Sequence, residues 1–391
     1  MQTQEKDTLF KRRSKILCIG AIAILCAIFA LSWNITILKT DKNGNTYSAF
    51  ESGDFSTGST ADVYAVSDNA YVHIGGKPIG ISVGAGGIIV VDKCTVATKN
   101  GEIAPCKDLD IRKGDVICKI NGESVESIYK LKKTMKASKD GRFLLTLKRG
   151  DDVRTFVVKA EKSKVDNEFK LGLMLKEDVS GVGTLTFVTK EGNFAALGHK
   201  IADFDSNLSE NLNQGNIYRA QITGVIKGER GKAGGLVADV NKLSNPVGEV
   251  SRNTEIGIYG KYDGEKLGDL YRIAMKGEAK VGKAQVLTTV DGSSPKFYDI
   301  DVVKVVSQSE VGEKGMVISV RDKELIDKAG GIVQGMSGSP IVQNGILIGA
   351  VTHVFVQDPT RGYAVHSRFM YDYATSLDKN TDVEMQTECA A

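Results

Sequence analysis

The sequence predicts a mainly β chain: an apolar N-terminal helix, a small mixed α+β unit, then a larger unit of short strands. Three observations predict it. The 391 residues include 43 glycines and only six prolines, which favours short strands and tight turns over long helices. Segments 182–188, 220–226, 234–240, 255–262, 271–275, 284–289, 297–306 and 316–320 carry strand patterning. Glycine-containing turns separate them, at a spacing that suits barrels or sandwiches. Residues 16–38 carry no charge and are long enough to cross a bilayer as a helix.

The N-terminal segment comes first. Lys11, Arg12, Arg13 and Lys15, in the basic segment 1–15, precede the apolar run. By the positive-inside rule they stay in the cytoplasm. The expectation is a single-pass anchor in the bacterial cytoplasmic membrane, with the rest of the chain outside the cytoplasm. Trp33 stands where an interfacial aromatic belongs. A cleaved signal peptide with Ala30-Leu31-Ser32 as its processing site is the rival reading. Residues 39–70 are polar and read as a flexible stalk, within reach of a protease cutting its own chain.

Charge excludes one class of partner. Lys and Arg number 51 against 48 Asp and Glu, for a net charge of +3, and the signs interleave. No nucleic-acid face follows from that pattern. The six cysteines lack the paired spacing of a zinc site. Cys18 and Cys26 lie in the apolar run, Cys389 in the tail. For Cys94, Cys106 and Cys118, a Cys94–Cys106 bridge and free buried thiols both stand open. No metal or cofactor is called for.

Residues 71–161 read as the middle unit. Gly84-Ala85-Gly86 turns into the apolar strand 87–91. Gly114-Asp115-Val116-Ile117 leads through a strand to the Asn121-Gly122 turn. A helix over 127–137 and strands over 143–148 and 154–158 follow. This succession resembles the heart of a PDZ domain. Such domains bind an extended peptide by strand addition, its end held in an apolar-Gly-apolar loop. Ile79-Gly80-Ile81, after Pro78, is the expected loop; an ordinary strand entry is the alternative.

Residues 165–376 carry the chemistry. Gly335-Met336-Ser337-Gly338-Ser339-Pro340 precedes an apolar hairpin. Glycines permit φ > 0 and let a carbonyl approach the backbone, so Ser337 is exposed in a tight turn. The N–H groups of Gly335 and Ser337 can then form an oxyanion hole. A Gly/Ser hairpin turn without chemistry is the plain alternative. Four histidines exist: His73, His199, His353 and His366. His199 ends a strand that follows the strand 181–190 and the turn Glu191-Gly192-Asn193. Two strands, a glycine turn and a terminal histidine are what the first barrel of a chymotrypsin-like protease offers, and the order His199 before Ser337 matches that fold. His73, His353 and His366 read as structural.

The acidic partner is less constrained. Asp203, Asp205, Asp239, Asp299, Asp301 and Asp322 lie between base and nucleophile. Asp203 and Asp205 sit too close to His199 for inter-strand geometry. Asp322 follows the strand 315–321, shortly before the nucleophile turn; a solvated surface charge fits it equally.

Gly331-Ile332-Val333-Gln334-Gly335-Met336-Ser337-Gly338-Ser339-Pro340-Ile341, the segment Gly349 to Tyr363, and Leu197-Gly198-His199 resemble the stage IV sporulation protein B peptidases. That resemblance implies a PDZ domain followed by a chymotrypsin-like double β-barrel. It implies Ser337 as nucleophile, His199 as base and Asp322 as the acidic member, in a serine endopeptidase. It also implies self-processing at an N-terminal segment and cleavage of a membrane-bound regulator of an intramembrane protease. That cut leads to late sigma-factor activation, in the intermembrane space of a forespore. Two alternatives stand beside it: a catalytically inactive PDZ binding module, and a peptidase that cuts only itself. The polar residues 377–391 read as a disordered tail.

Overall fold

The computed structural model describes residues 70–201, 212, 214–306 and 311–388, and two earlier strands. Contacts divide the chain into units 1–63 and 64–391. In the first, strand Ile37–Thr40 pairs antiparallel with Thr46–Ala49. Residues 16–36 of the apolar run lie outside the described residues, as does most of the expected stalk. Among the described residues no helix is long and apolar enough to cross a membrane, so the single-pass location is not supported.

The second unit is mainly β, as expected. Strand Pro78–Lys93 sets its plan. Alternate residues of a strand face one side, and Ile79, Ile81 and Val83 all turn into one core. This half of the strand is paired on both edges: Ile81 with Gly181 and with Ile217, Gly80 with Val182 and with Tyr218. Further along, Ile88 and Ile89 pair with Ile117 and Val116, while Val90 pairs with Leu175. The partner strand Leu173–Thr189 has 17 residues against its 16. These two strands therefore run from one core into another.

Those cores are distinct. One gathers Ile81, Leu185, Phe194, Leu197, Ile217, Val250 and Ile258. A second, later in the chain, gathers Val286, Tyr298, Ile300, Met316, Ile318, Ile341, Ile348 and Val351. A third cluster joins strands from both, through Val72, Phe187, Tyr259, Leu347 and Val365, against Met370 and Ala374 of helix Ser367–Glu388. That helix runs through most of the segment expected to be a disordered tail.

The fourth core belongs to the middle unit and holds Ile88, Val90, Ile117, Leu131, Phe143, Leu145, Leu147 and Leu171. Its local structure follows the sequence closely. Ser127 caps helix Ile128–Lys136 by accepting a hydrogen bond from the Lys130 N–H. Asn121 and Gly122 take φ of 52° and 85°, the two positive values a tight hairpin turn needs. Asp115 is buried and accepts from Arg149 Nε at 2.6 Å and Nη2 at 2.8 Å. Removing one partner of such a pair costs about 3–5 kcal/mol, because the other charge stays buried.

One expectation changes here, and one open alternative closes. The middle unit does not begin at residue 71. Strand Tyr71–Ile74 pairs with 187–189 and 270–272, and 78–84 completes the first core. The middle unit is thus inserted between strands of the larger one, spanning about 88–175. The three described cysteines are free thiols. Burial pushes the Cys106 thiol up to about 11.

Candidate active site

The nucleophile turn is held by glycine geometry. Gly335 and Gly338 take φ of 97° and 91°, in the left-handed region. A Cβ on Gly338 would stand 2.2 Å from Thr184 O and 2.4 Å from Leu197 N. Only glycine lets the turn close on the strands that lead to His199. The Ser337 carbonyl accepts from the Thr184 N–H, the Gly335 carbonyl from the Thr184 hydroxyl, and the Gly338 carbonyl from the Thr186 hydroxyl at 2.7 Å. Ser339 is fully buried and donates to the Thr288 hydroxyl at 2.8 Å, which sets it apart from the half-buried Ser337.

With their carbonyls tied down, the amides of this turn divide into two groups. Met336 N–H donates to Val333, Gly338 N–H to Val351 and Ser339 N–H to Met336. The N–H groups of Gly335 and Ser337 find no partner among the described residues. Those are the two donors an oxyanion would take. The Ser337 hydroxyl donates to the Thr352 carbonyl at 2.8 Å.

His199 reaches the same place from the first core. Leu197 and Gly198 both take positive φ, 70° and 73°, and turn the chain out of strand Asn193–Ala196. A non-glycine residue held there costs of order 1–3 kcal/mol, and such strain clusters at functional sites. Gly198 packs against Thr352 and the Val351 carbonyl. The His199 Nδ1–H donates to the Lys200 carbonyl at 2.9 Å, which leaves the Nε2 lone pair as the proton acceptor. Burial holds its pKa below the ordinary histidine value, with His353 adding to the shift and the Lys200 carbonyl and Glu313 opposing it. A neutral imidazole at neutral pH suits a general base.

Other expected residues fall elsewhere. Asp322 is the N-cap of helix Lys323–Ala329, accepting from the Leu325 N–H at 3.1 Å. It stands beyond one end of strand Met316–Val320, whereas Glu313, which contacts His353 at 2.9 Å, precedes the other end. Five strand residues span about 16 Å, so the structure does not bring Asp322 to His199. Asp203 and Asp205 lie outside the described residues. Ile79, Gly80 and Ile81 are not at an open edge. They open strand Pro78–Lys93 as an ordinary strand entry, largely buried and paired on both sides, so no peptide strand can add there. His353, expected to be structural, stacks on His199 with ring centroids 4.9 Å apart. His73 meets the Gly268 carbonyl and His366 the Val306 carbonyl.

Sequence reasoning missed two features. One is the buried Thr184 and Thr186, whose signal is a polar residue on alternate positions of an otherwise apolar strand. The other is a cavity of about 660 Å³ between helix Ile128–Lys136 and the start of strand Leu173–Thr189, lined by Ile128, Leu131, Met135, Leu171 and Leu173. Residues 173–175 pair on one edge only among the described residues. Leu171-Gly172-Leu173 repeats the apolar-Gly-apolar pattern, with Gly172 at φ 70°. The described residues hold no cluster of His, Cys, Asp and Glu arranged for a metal ion.

The fold thus brings together the Ser337 turn, the His199 loop and two amides without a partner among the described residues, the groups a serine peptidase would need. The chain belongs to the SpoIVB peptidase S55 family, whose model matches residues 167–371. A solved structure of Rv3671c from M. tuberculosis H37Rv, a serine-to-alanine mutant in its inactive form, is similar at 12% identity and a TM-score of 0.27. The match covers 50% of this chain and 82% of that one. No curated protein sequence matches.

Proposed function

We propose that this chain is a serine endopeptidase of sporulation signalling, with a chymotrypsin-like double barrel as its catalytic body. Ser337 attacks the scissile carbonyl carbon. His199 takes the hydroxyl proton at Nε2 and later gives it to the leaving amine. The Gly335 and Ser337 N–H groups hold the oxyanion. The observation that carries the reading is the pair of unpartnered amides beside a serine whose turn packs on the His199 loop. The Ser337 hydroxyl, which donates to the Thr352 carbonyl, must turn from it to give its proton to His199.

By its family, the substrates are its own N-terminal segment and a membrane-bound regulator of an intramembrane protease. The full chain, followed by intact mass over time, tests this. Wild type is expected to release an N-terminal fragment, and Ser337→Ala to stay whole. Equal cleavage by both would sink the assignment.

A second reading concerns the middle unit, which we take as a PDZ-type module. The cavity beside the one-sided edge 173–175 supports peptide capture there, by strand addition. Leu171-Gly172-Leu173, and not Ile79-Gly80-Ile81, then holds the peptide end.

A further inference from the structure

We propose that strand Gly235–Val240 is a substrate-binding edge: an extended peptide carrying an aliphatic residue adds to it at Ala238 while its scissile carbonyl lies at Ser337. The proposal rests on the serine-peptidase reading above and names the kind of chain that site takes. Strand Gly235–Val240 pairs antiparallel with strand Gln214–Ile226, Val237 opposite Gly224 and Asp239 opposite Gln221. Its other edge begins at the nucleophile turn itself. The Leu236 N–H donates to the Gln334 carbonyl at 2.8 Å, and the Gln334 N–H to the Gly234 carbonyl at 3.0 Å. Gly335 then turns away at φ 97°, packed so closely that a Cβ on it would stand 3.0 Å from the Leu236 Cβ. Beyond that point no described strand pairs with residues 237–240 on this edge.

Alternation fixes which backbone groups face the edge. Leu236 turns its N–H toward Gln334, so Ala238, two residues on, turns its N–H and carbonyl the same way. Ile222, opposite Ala238, has its own backbone engaged elsewhere: it exchanges two hydrogen bonds with Gly292, at 2.7 and 3.0 Å. Ala238 therefore offers a donor and an acceptor that no described residue takes. It lies about 10 Å along the strand from Gly235, a span that about three residues of extended chain cover. A peptide held at the Gly335 and Ser337 amides thus meets this edge close to its scissile bond. The two faces of the hairpin differ. The inner one is closed, with Leu236 against Gly335 and Val240 filling the space over Gly80. On the outer one Ile226 and Val237 are 55% and 45% exposed, diagonal to each other across Gly224 and Gly235. An added strand lays alternate side chains on that face, and an aliphatic one covers this apolar pair.

The test compares two rates in the full chain. One is labelling of Ser337 by a small fluorophosphonate, which needs only the nucleophile and its base. The other is release of the N-terminal fragment, which needs a bound peptide. Wild type, Ala238→Pro and Val237→Ser are followed, with a thermal melt and size-exclusion run of each. Proline at an outward-facing edge position removes the N–H without breaking the ladder to the neighbouring strand. Ala238→Pro is expected to label at the wild-type rate and to cut about 10-fold more slowly, the upper range for one lost hydrogen bond. Val237→Ser is expected to label normally and to cut about 5-fold more slowly, for the apolar contact removed. It decides alone where the proline variant unfolds. Folded variants that cut as fast as wild type overturn the substrate edge alone. Equal loss of labelling and cutting also overturns it, because the substitution then acts on the Ser337 turn. A wild-type dimer that Ala238→Pro dissociates, with cutting unchanged, gives the edge to a second copy instead. Wild type that labels but releases no fragment overturns the edge as a path for the chain's own segment. Absence of labelling in wild type overturns the serine-peptidase reading and the edge with it.

Discussion

Replacing Gly338 by alanine drives a methyl group into the joint between nucleophile and base. The new Cβ would lie 2.2 Å from Thr184 O and 2.4 Å from Leu197 N, both backbone atoms, so no side chain can swing aside. Overpacking of this kind costs about 1–3 kcal/mol. The φ of 91° adds about 1–2 kcal/mol for any residue with a Cβ. The sum is a loss of about 2–5 kcal/mol. Gly345 provides the control: its φ is 76°, and a Cβ there meets nothing within 4 Å. Gly345→Ala therefore carries only the backbone strain, of about 1–2 kcal/mol. Urea unfolding of both variants reads the difference. The clash is relieved only by parting the Ser337 turn from the Leu197-Gly198-His199 turn. A misplacement of about 1 Å can cost about 100-fold in rate, so fluorophosphonate labelling of Gly338→Ala should fall at least that far while Gly345→Ala labels normally. Stabilities of the two variants within about 1 kcal/mol of each other would refute the argument.

Two further outcomes are open to measurement. Asp322→Ala should lose about 1 kcal/mol with its helix cap, whereas Asp322→Ser, which keeps a capping oxygen, should retain both stability and cleavage. A stable Asp322→Ser that no longer cleaves would restore Asp322 as the acidic member. Cys106, whose thiol burial holds near pKa 11, should resist iodoacetamide at neutral pH in the folded chain and react after unfolding; rapid labelling of the native protein would contradict the packing around it.

What the sequence revealed depends on how local the cause is. The turn Gly335 to Pro340 is legible because its geometry is written in adjacent residues: two left-handed glycines flank a serine. The helix from Ile128 to Lys136 is legible for the same reason, with Ser127 as its cap. Asp322 shows the limit. Asp322-Lys323-Glu324-Leu325 followed by Gly330 is a helix with its N-cap and its left-handed terminus, and that signal was present beside the catalytic one. Choosing between them required the direction of strand Met316–Val320, which is a tertiary fact. The strands of the first core were readable as strands but not as partners, because residue 81 pairs with residues 181 and 217 across the inserted middle unit.

The two apolar-Gly-apolar loops make the same point about function. Ile79-Gly80-Ile81 and Leu171-Gly172-Leu173 are indistinguishable as patterns. Their glycines have different reasons to exist. At Gly80 a Cβ would strike the Val240 side chain at 2.1 Å, so glycine there admits a packed neighbour. Gly172 sits at φ 70°, where a Cβ would meet Pro105 at 2.5 Å and the Cys94 carbonyl at 2.9 Å, so glycine there makes a turn against a tight wall. The first solves a problem of core packing; the second bends the chain at the entrance to a one-sided strand edge. Only the second lies beside a cavity, next to residues 173–175, which pair on one edge only among the described residues. The same distinction separates Ser337 from Ser339 two residues on. One serine is satisfied within a buried threonine ladder, while the other lies half-buried beside two amides that have no partner among the described residues, which is why the proposed chemistry falls to Ser337.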